Sequence, residues 1–231
     1  MSTRYVYAGD VGPFRGACAE TAVLESVAAG GPDTLLVYSR DRPTVSIGAY
    51  ADPDDCLRMD YVKNNDVTVL RRISGGSAIY TDPGQLTYCY VRPRTGETIE
   101  EGYARVCGYV ALGLSKLGIA AAHKPINDVV SGGMKVSGGA QYRDAAVTLQ
   151  HGSVIITLDR PAVEGALKPL KKPGAALSSL GEILGRVPGK REVADALASG
   201  FPDAFEGGLT EKELARVEKC LRLSFSSCSC R

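Results

Sequence analysis

Residues 71–78 have the sequence Arg-Arg-Ile-Ser-Gly-Gly-Ser-Ala, and residues 133–139 have the sequence Gly-Met-Lys-Val-Ser-Gly-Gly. Each stretch combines a cation and a hydroxyl with paired glycines, which let backbone amides approach an anion closely. Two such elements can enclose a phosphate and a carboxylate together. The pair therefore predicts a site that activates a carboxylate, provided that Lys135 faces the same cleft as Gly75 and Gly76.

Taken alone, the first stretch allows two interpretations. An arginine beside a glycine-rich loop offers a rigid fork of donors that matches phosphate or carboxylate oxygens. A strand that ends in an exposed hairpin, with its arginines in water, would have the same pattern. The stretch matches neither the GxxxxGK[ST] nor the GxGxxG phosphate-binding pattern, so other parts of the chain have to distinguish the two.

The second stretch favours the binding interpretation. A lysine in a strand usually lies on a solvated face, but Lys135 is followed by small residues that leave room for a ligand. Side-chain alternation along a strand places Ser137 on the same side as Lys135. Residues 131–133 predict a tight hairpin, which would bring Asn127 and Asp128 of the partner arm within reach of Lys135 or of a metal ion.

The order of the predicted elements indicates the fold class. Strands are predicted at residues 34–39, 44–47, 67–73, 86–91, 126–130, 134–142 and 147–158. Helices are predicted at residues 17–27, 60–65, 99–117, 192–198 and 210–223. Because strands and helices do not alternate regularly, we expect an α+β fold with a mixed, largely antiparallel sheet flanked by helices.

Two of these helices carry apolar stripes at helical spacing, which predict the faces that they bury. The stripe of the earlier helix consists of Ile99, Tyr103, Val106, Val110, Leu114 and Leu117. The C-terminal helix begins with a capping-box pattern, Thr210 followed by Glu213. Its stripe consists of Leu214, Val217 and Leu221.

Length and composition are typical of one globular domain. The chain has 231 residues, 44% of them hydrophobic, which is enough to bury one substantial core. We expect a single domain over residues 1–224 and a disordered tail over residues 225–231. The net charge of +1 gives no reason to expect binding to nucleic acid. No apolar stretch reaches the roughly 18 residues that a membrane span needs.

The cysteines and the N-terminus bear on the compartment. Seven cysteines occur without the CxxC pairs of zinc sites, and the N-terminus lacks the apolar segment of a signal peptide. Both observations predict a cytoplasmic protein with reduced thiols. Cys220, Cys228 and Cys230 would then be three free thiols near the C-terminus. A segment rich in lysine, proline and glycine at residues 168–176 predicts a mobile loop.

Several motifs follow one another in one order: residues 71–84, Asn127-Asp128, residues 135–141 and His151-Gly152. This order resembles that of the lipoate–protein ligases of the biotin/lipoate ligase superfamily, over about residues 17–184. Biotin ligases are less similar, because their GRGRxGxxW signature is missing and the chain contains no tryptophan. The resemblance implies a class II synthetase-like fold and a short form of the ligase that lacks a C-terminal accessory domain.

The resemblance also implies a two-step reaction. The carboxylate of lipoate attacks the α-phosphorus of ATP, and a lysine of an acceptor then attacks the lipoyl adenylate to give an amide. ATP and Mg2+ are the implied cofactors. The implied acceptor is a lipoyl carrier, either the glycine-cleavage H protein or the E2 domain of a 2-oxoacid dehydrogenase. Similar short ligases depend on a separate small accessory subunit, so we expect one here.

The resemblance assigns roles to individual positions. Lys135 would be the catalytic residue, contacting the acyl carbonyl and the phosphate. Asn127 and Asp128 would help to place the nucleotide, with Asp128 as the metal ligand. His151 would bind substrate or play a structural part in its strand. The residues assigned to substrate or nucleotide binding are Arg72, Ser74, Gly75, Gly76, Ser77, Ala78, Tyr80, Asn127, Asp128, Lys135, Ser137, Gly138 and His151.

The octanoyltransferases of the same superfamily are the main alternative. They use a cysteine nucleophile, and residues 80–86 resemble their YHGPGQL motif. Thr148 stands at one of their two cysteine positions, and residues 125–134, which cover the other, contain no cysteine. Cys89 is predicted to be a buried strand residue. The ligase is therefore favoured over an octanoyl or lipoyl acyltransferase and over a non-catalytic protein that binds lipoyl adenylate.

Two substitutions within the first motif concern the acyl tunnel. Ser77 stands where the family usually has a third glycine, and Thr81 stands where it usually has a histidine. The preference between lipoate and octanoate stays open at this stage.

Overall fold

The computed structural model describes residues 2–169 and 174–228, with side chains of the last helix described as far as Leu223. Its strands are β1 (Arg4–Val11), β2 (Thr34–Arg40), β3 (Thr44–Ile47), β4 (Thr68–Arg71), β5 (Ala78–Thr81), β6 (Gln85–Pro93), β7 (Ala122–Lys124), β8 (Asp128–Ser131), β9 (Met134–Arg143), β10 (Val147–Ile155) and β11 (Phe205–Gly207). Its helices are α1 (Pro13–Ala28), α2 (Pro53–Cys56), α3 (Met59–Asn64), α4 (Ile99–Ser115), α5 (Arg160–Ala166), α6 (Leu180–Leu184), α7 (Lys190–Ala198) and α8 (Glu211–Cys228).

Across these described ranges the strands form two sheets. The large sheet has eight strands in the order β11–β1–β2–β6–β10–β9–β8–β7. Its first two pairings are parallel and the other five are antiparallel. The small sheet has the order β4–β3–β5, with β4 parallel and β5 antiparallel to β3. The expected mixed, largely antiparallel sheet is therefore confirmed.

Helices cover both faces of the large sheet. In the centre of β2, Leu35 belongs to an apolar cluster with residues of α4 and α7, and its neighbour Leu36 belongs to a second cluster with residues of α1 and α8. Both leucines are fully buried. Successive side chains of a strand point to opposite faces, so a strand that is covered on both sides needs a continuous apolar run. This is why β2 is apolar throughout its centre.

The C-terminal helix is anchored at its start, as its sequence predicts. The hydroxyl of Thr210 accepts a hydrogen bond from the amide of Glu213 at 3.2 Å, and the Glu213 carboxylate accepts one from the Thr210 amide at 2.7 Å. That carboxylate is also paired with the buried Arg4 of β1 at 2.5 Å. The capping box therefore fixes α8 to the sheet as well as beginning it.

Each of the two predicted apolar stripes includes one residue that is exposed in the structure. Ile99 of α4 is 53% exposed and Leu214 of α8 is 43% exposed, so both were wrongly placed on the buried face. The buried part of α4 begins at Gly102. In α4 the apolar period thus begins one turn before the part of the helix that is buried.

The small sheet positions the first motif, and the sequence did not reveal it. Strands β2 and β3 are separated by a three-residue turn, yet they lie in different sheets. Strands β4 and β5 flank β3, so the motif at residues 71–78 leaves the small sheet and returns to it. The motif at residues 133–139 lies in the large sheet. The two motifs therefore come from different sheets.

The ends of the chain and the cysteines differ from expectation. Helix α8 continues through Cys228, so residues 225–228 of the expected tail are helical, and residues 229–231 lie outside the described part. Residues 170–173 of the expected loop also lie outside it. Cys220 is not a free thiol, because a disulfide joins it to Cys18. No helix within the described ranges has the length and apolarity needed to cross a bilayer.

Candidate active site

A cleft of about 1060 Å3 is lined by residues of both sheets. Gly75 and Gly76 of the first motif line it together with Lys135 and Gly138 of the second. The amino group and the glycine pair thus share one cleft, which was the geometric condition for activating a carboxylate. His151 of β10 also contributes to the lining.

Two arginines bond to the backbone of the glycine loop and of the neighbouring segment at residues 46–51. The guanidinium of Arg72 donates to the carbonyls of Ser46, Gly75 and Ser77 at 2.7, 2.7 and 3.0 Å. Arg71 donates to the carbonyls of residues 48, 49 and 51. Burial lowers the pKa of Arg72. Most of the donors of Arg72 are therefore occupied in shaping the loop rather than left for a ligand.

A glycine outside the motif allows the loop to fold in this way. A Cβ on Gly48 would collide with the backbone oxygen of Gly76. The amide of Gly48 donates to the carbonyl of Ser77 at 3.0 Å, and the amide of Ala49 donates to that of Ser74 at 2.9 Å. Gly76 itself has a φ of +95°, which only glycine adopts readily. Close approach of two backbones thus requires glycine at both positions.

A buried relay connects the glycine loop to helix α1. Nε2 of His151 lies 2.6 Å from the hydroxyl of Ser74, and Nδ1 lies 2.7 Å from Oε2 of Glu20. Because a carboxylate only accepts hydrogen bonds, Nδ1 carries a proton and donates to Glu20, while Nε2 shares a hydrogen bond with the hydroxyl of Ser74. Ser74 accepts in turn from Nε of Arg72 at 3.1 Å, and Tyr38 donates to Glu20 at 2.9 Å.

The relay also sets the ionisation of Glu20. Burial opposes the charge on this carboxyl, but the charge of His151, its hydrogen bond and the nearby Arg40 outweigh it, so the pKa of Glu20 is below its usual value. Tyr38 has a raised pKa because of burial and the adjacent Glu20 charge. The carboxylate is thus ionised at neutral pH and fixes the orientation of the imidazole.

The second motif holds an ion pair at the cleft. Nζ of Lys135 lies 2.6 Å from Oδ1 of Asp128, on the partner arm of the hairpin, which is one of the two arrangements that the sequence predicts. A Cβ on Gly138 would lie 2.5 Å from both Cε and Nζ of Lys135. The glycine therefore leaves the space that the end of the lysine side chain occupies.

The backbone of this strand is fixed from both sides. The amide of Lys135 donates to the carbonyl of Ala176 at 2.8 Å, and its carbonyl accepts from the amide of Ser178 at 3.0 Å. Further along β9, Asn127 exchanges two hydrogen bonds with Gly139, one of them from its side-chain amide at 2.5 Å. The lysine thus projects from a strand whose position is determined by contacts on either side.

The structure separates the predicted site residues into two groups. Ser74 and Ser137 are buried, at 1% and 0% exposure, and lie behind the cleft surface. Strand β9 has a bulge between its pairings with Val129 and Val130, which interrupts strict alternation between Lys135 and Ser137. The predicted residues that line the cleft are Arg72, Gly75, Gly76, Ser77, Ala78, Tyr80, Asn127, Asp128, Lys135, Gly138 and His151.

The charge of the cleft suits an anionic ligand. Its described lining contains three carboxylates and five basic side chains, namely Arg40, Arg71, Arg72, Lys135 and Lys168. Nowhere in residues 2–169 or 174–228 do three or more histidine, cysteine or acidic side chains gather closely enough to hold a metal ion. A cation at this site would therefore depend on oxygens of the ligand in addition to protein carboxylates.

The thiols of the cleft are poorly suited to nucleophilic attack. Cys56 lines the cleft, but burial raises the pKa of its thiol. Cys18 and Cys220 also line it, joined as a disulfide. Cys89 is a fully buried strand residue, as predicted, and burial raises its pKa well above the usual value. Thr148 is 4% exposed within β10.

Sequence reasoning missed two residues that shape the site, Glu20 and Gly48. The carboxyl of Glu20 comes from a helix 131 residues away from His151 in the chain. The one available signal was a glutamate that is flanked by small residues on the apolar face of α1. Gly48 follows a strand end, which suggests a turn but not the loop that it contacts.

Comparison with known proteins shows what the chain is similar to. Residues 14–202 match the lipoyl protein ligase A/B catalytic domain family. The octanoyltransferase LipM of Moorella thermoacetica is 28% identical, over 90% of this chain and 89% of its own length. The lipoate-protein ligase LplJ of Bacillus subtilis is 29% identical over 69% of this chain. That match spans 48%, about half, of the length of the ligase.

Three solved structures have the same fold. Ta0514 of T. acidophilum, solved with bound lipoic acid, is 23% identical with a TM-score of 0.84 and covers 96% of both chains. A lipoate-protein ligase A bound with ATP is 23% identical with a TM-score of 0.85, covering 96% of this chain and 95% of its own. A bipartite lipoate protein ligase from Thermoplasma acidophilum, studied with its E2 lipoyl domain, is 24% identical with a TM-score of 0.85. The match covers 96% of this chain and 92% of that one. The fold expected from the sequence is thus confirmed.

Proposed function

The chain belongs to the lipoyl protein ligase A/B catalytic domain family, and we propose that within this family it is an ATP-dependent lipoate–protein ligase. Its curated relatives divide between octanoyltransferases and lipoate-protein ligases, so family membership alone leaves the reaction undecided. The observation that supports a ligase is the amino group of Lys135 in a cationic cleft whose described lining residues include no activated thiol.

In this proposal, Lys135 neutralises charge during the first step. Attack of a carboxylate on a phosphate brings two anions together, and fixed positive charge in a site that excludes water lowers that barrier. Asp128 holds the ammonium at 2.6 Å, and Gly138 leaves room for it. When the substrates enter, the lysine can turn from Asp128 towards the acyl carboxylate and the α-phosphate.

The glycine loop would bind the acyl adenylate through its backbone. Arg72 keeps the loop in shape, and the φ of +95° at Gly76 exposes amides that a side chain would otherwise shield. The relay of Ser74, His151 and Glu20 fixes the loop against α1. Arg72, Ser74 and His151 would thus act mainly by positioning, while Gly75, Gly76 and Ser77 contact the ligand.

ATP and Mg2+ fit the cleft in different ways. The basic lining suits the nucleotide phosphates. Mg2+ usually takes one or two carboxylates together with substrate phosphates, so Asp128 alone would hold it on the protein side. The ion would offset the phosphate charge. Asn127, which is bonded to Gly139, keeps the Asp128 arm of the hairpin in place.

Octanoyl transfer between carrier proteins is the second candidate, favoured by the length of the matches. LipM of Moorella thermoacetica aligns over 89% of its length, whereas the ligase LplJ aligns over about half. Transfer of this kind would need a thiolate, and Cys56 is the only free thiol among the described lining residues. Its raised pKa disfavours it as a nucleophile.

We further propose that the acceptor is a lipoyl carrier of the glycine-cleavage H protein or E2 class. The bipartite ligase of Thermoplasma acidophilum was studied with its E2 lipoyl domain, and it has the same fold as this chain. A separate small accessory protein is the matching proposal for this chain. Lipoylation should then proceed fully only when both the carrier and that accessory protein are present.

Exchange of labelled pyrophosphate into ATP tests the proposal directly. We expect exchange that depends on lipoate or octanoate, and a loss of at least about 100-fold in Lys135→Ala. Cys56→Ser should keep the exchange rate within about twofold, since a thiol takes no part in a ligase. Transfer of octanoate from a carrier without ATP, abolished by Cys56→Ser, would instead establish the transferase.

A further inference from the structure

We propose that the Cys18–Cys220 disulfide is a thiol–disulfide exchange site for a small dithiol that enters the cleft. The bond joins α1 to α8 with a Cα–Cα distance of 5.7 Å, within the usual range for disulfides. Both cysteines line the cleft. The inference rests on the proposed function, because the reduced form of lipoate is a dithiol of this kind.

The position of the disulfide suits the distal end of an acyl chain. Cys18 lies two residues before Glu20, which contacts His151, and His151 pairs with Ala140 of β9. Ala140 and Lys135 lie on the same strand, and both line the cleft together with the two cysteines. In this proposal, an acid whose carboxylate lies at Lys135 has its other end directed along β9 towards α1 and the disulfide.

The other cysteines do not compete for this role. The free cysteines of the described residues are Cys56, Cys89 and Cys107, and all three are buried. Burial raises the pKa of each thiol, that of Cys107 to about 12. A thiol in that state does not attack a disulfide readily. Exchange in the cleft therefore concerns one cysteine pair.

The two sulfurs differ in access. Cys18 is 2% exposed, whereas Cys220 is only partly buried. Attack on Cys220 with departure of Cys18 is the accessible direction, because exchange rates depend on which sulfur is reached.

The exchange needs no other oxidant or reductant, because its electrons and protons pass only between the dithiol and the two cysteines. One thiolate of the dithiol attacks Sγ of Cys220, the protein S–S bond breaks, and Cys18 leaves as a thiolate. The second thiol then attacks the mixed disulfide, which closes the dithiol into a cyclic disulfide and releases Cys220. Two electrons pass from the dithiol to the protein, and its two protons end on the cysteines. Ring closure is favoured because the second thiol is held next to the mixed disulfide.

Opening the disulfide would leave the fold in place. Helix α8 is held separately by the buried pair of Arg4 and Glu213. A second ion pair joins Arg216 to Glu25 of α1 at 2.6 Å, and Val217 is 1% exposed in the core. Reduction therefore changes the wall of the cleft near residue 220 rather than releasing the helix.

Reduction kinetics of the oxidised full-length protein test the inference. Dihydrolipoate and dithiothreitol are added at equal thiol concentrations, the reaction is quenched with N-ethylmaleimide, and labelling of Cys18 and Cys220 is followed by mass spectrometry. We expect dihydrolipoate to act at least 10-fold faster, with a saturating rate that octanoate inhibits. Equal, non-saturating rates that octanoate leaves unchanged would overturn the inference. Labelling of both cysteines before any dithiol is added would also overturn it, because the disulfide would then be absent from the purified protein.

Variants separate this inference from the proposed function. Cys220→Ser should abolish the dithiol reaction, whereas Cys56→Ser, which also alters a cleft cysteine, should leave it unchanged. If pyrophosphate exchange is absent but octanoate still inhibits the dithiol reaction, the ligase proposal fails and the exchange site stands. If pyrophosphate exchange is present and the dithiol reaction does not saturate, the ligase proposal stands and the exchange site fails. The wild-type kinetics remain decisive even if Cys220→Ser does not fold.

Discussion

Replacing Gly138 with alanine is predicted to impair activity by moving the Lys135 ammonium. The new Cβ would lie 2.5 Å from both Cε and Nζ of Lys135 and 3.3 Å from Oδ1 of Asp128. Ordinary van der Waals contact begins near 3.4 Å, so the end of the lysine must move by about 1 Å. The ion pair with Asp128 would be disturbed by the same movement.

The expected magnitude differs between activity and stability. Misplacement of a reacting group by about 1 Å costs roughly 100-fold in rate. This corresponds to about 2.7 kcal/mol of lost transition-state stabilisation. The free energy of unfolding should change by less than about 1 kcal/mol, because only the far end of a flexible side chain has to move.

Pyrophosphate exchange and urea unfolding measure the two quantities. Gly96→Ala is the matched control, since a Cβ there meets nothing within 4 Å. A second test uses lipoate affinity measured by calorimetry: Gly138→Ala should weaken it in the wild-type background and leave it unchanged in a Lys135→Ala background. The steric argument would be refuted if Gly138→Ala exchanged pyrophosphate at the wild-type rate. It would also be refuted if Gly138→Ala weakened lipoate binding equally in both backgrounds.

Three further predictions concern the residues that hold the glycine loop. Gly48→Ala should lower the free energy of unfolding by about 3 kcal/mol, measured in urea, because the added Cβ meets the backbone of Gly76, which cannot move cheaply. Glu20→Gln should cost about 2 kcal/mol at pH 7 by weakening the contact with His151. Since the pKa of Glu20 is lowered on folding, this stabilisation is present above the unfolded pKa of about 4.3 and is lost as the pH falls through the folded value. The free energies of unfolding of the wild type and of Glu20→Gln should therefore converge as the pH is lowered. A difference that stays constant with pH would contradict the role given to the ionised Glu20 carboxylate. Arg72→Lys should raise the KM for lipoate at least about fivefold, because one ammonium cannot hold the same set of carbonyls, and an unchanged KM would argue against that role.

The local motifs could be predicted from the sequence because their geometry is local. The two-glycine turn predicted a hairpin that brings Asp128 within reach of Lys135, and the structure has that pair. The capping box of Thr210 and Glu213 was predictable for the same reason, since both bonds lie within one helical turn.

The tertiary parts of the site could not be predicted in this way. Nothing local to Gly48 or Glu20 indicates which distant backbone or ring each will contact. Strands β2 and β3 follow each other closely, and only packing sends them into different sheets. The disulfide of Cys18 and Cys220 closes a separation of 202 residues, which counting cysteines cannot pair.

The contacts around Lys135 make its backbone amide a natural reporter. Strand β9 extends past the end of its pairing with β10, and the segment at residues 176–178 fills that open edge. Deuterium uptake at the Lys135 amide therefore measures how often this segment lifts away. Nucleotide, acyl acid and carrier can be added one at a time, and the amide will record which of them seals the edge and which loosens it.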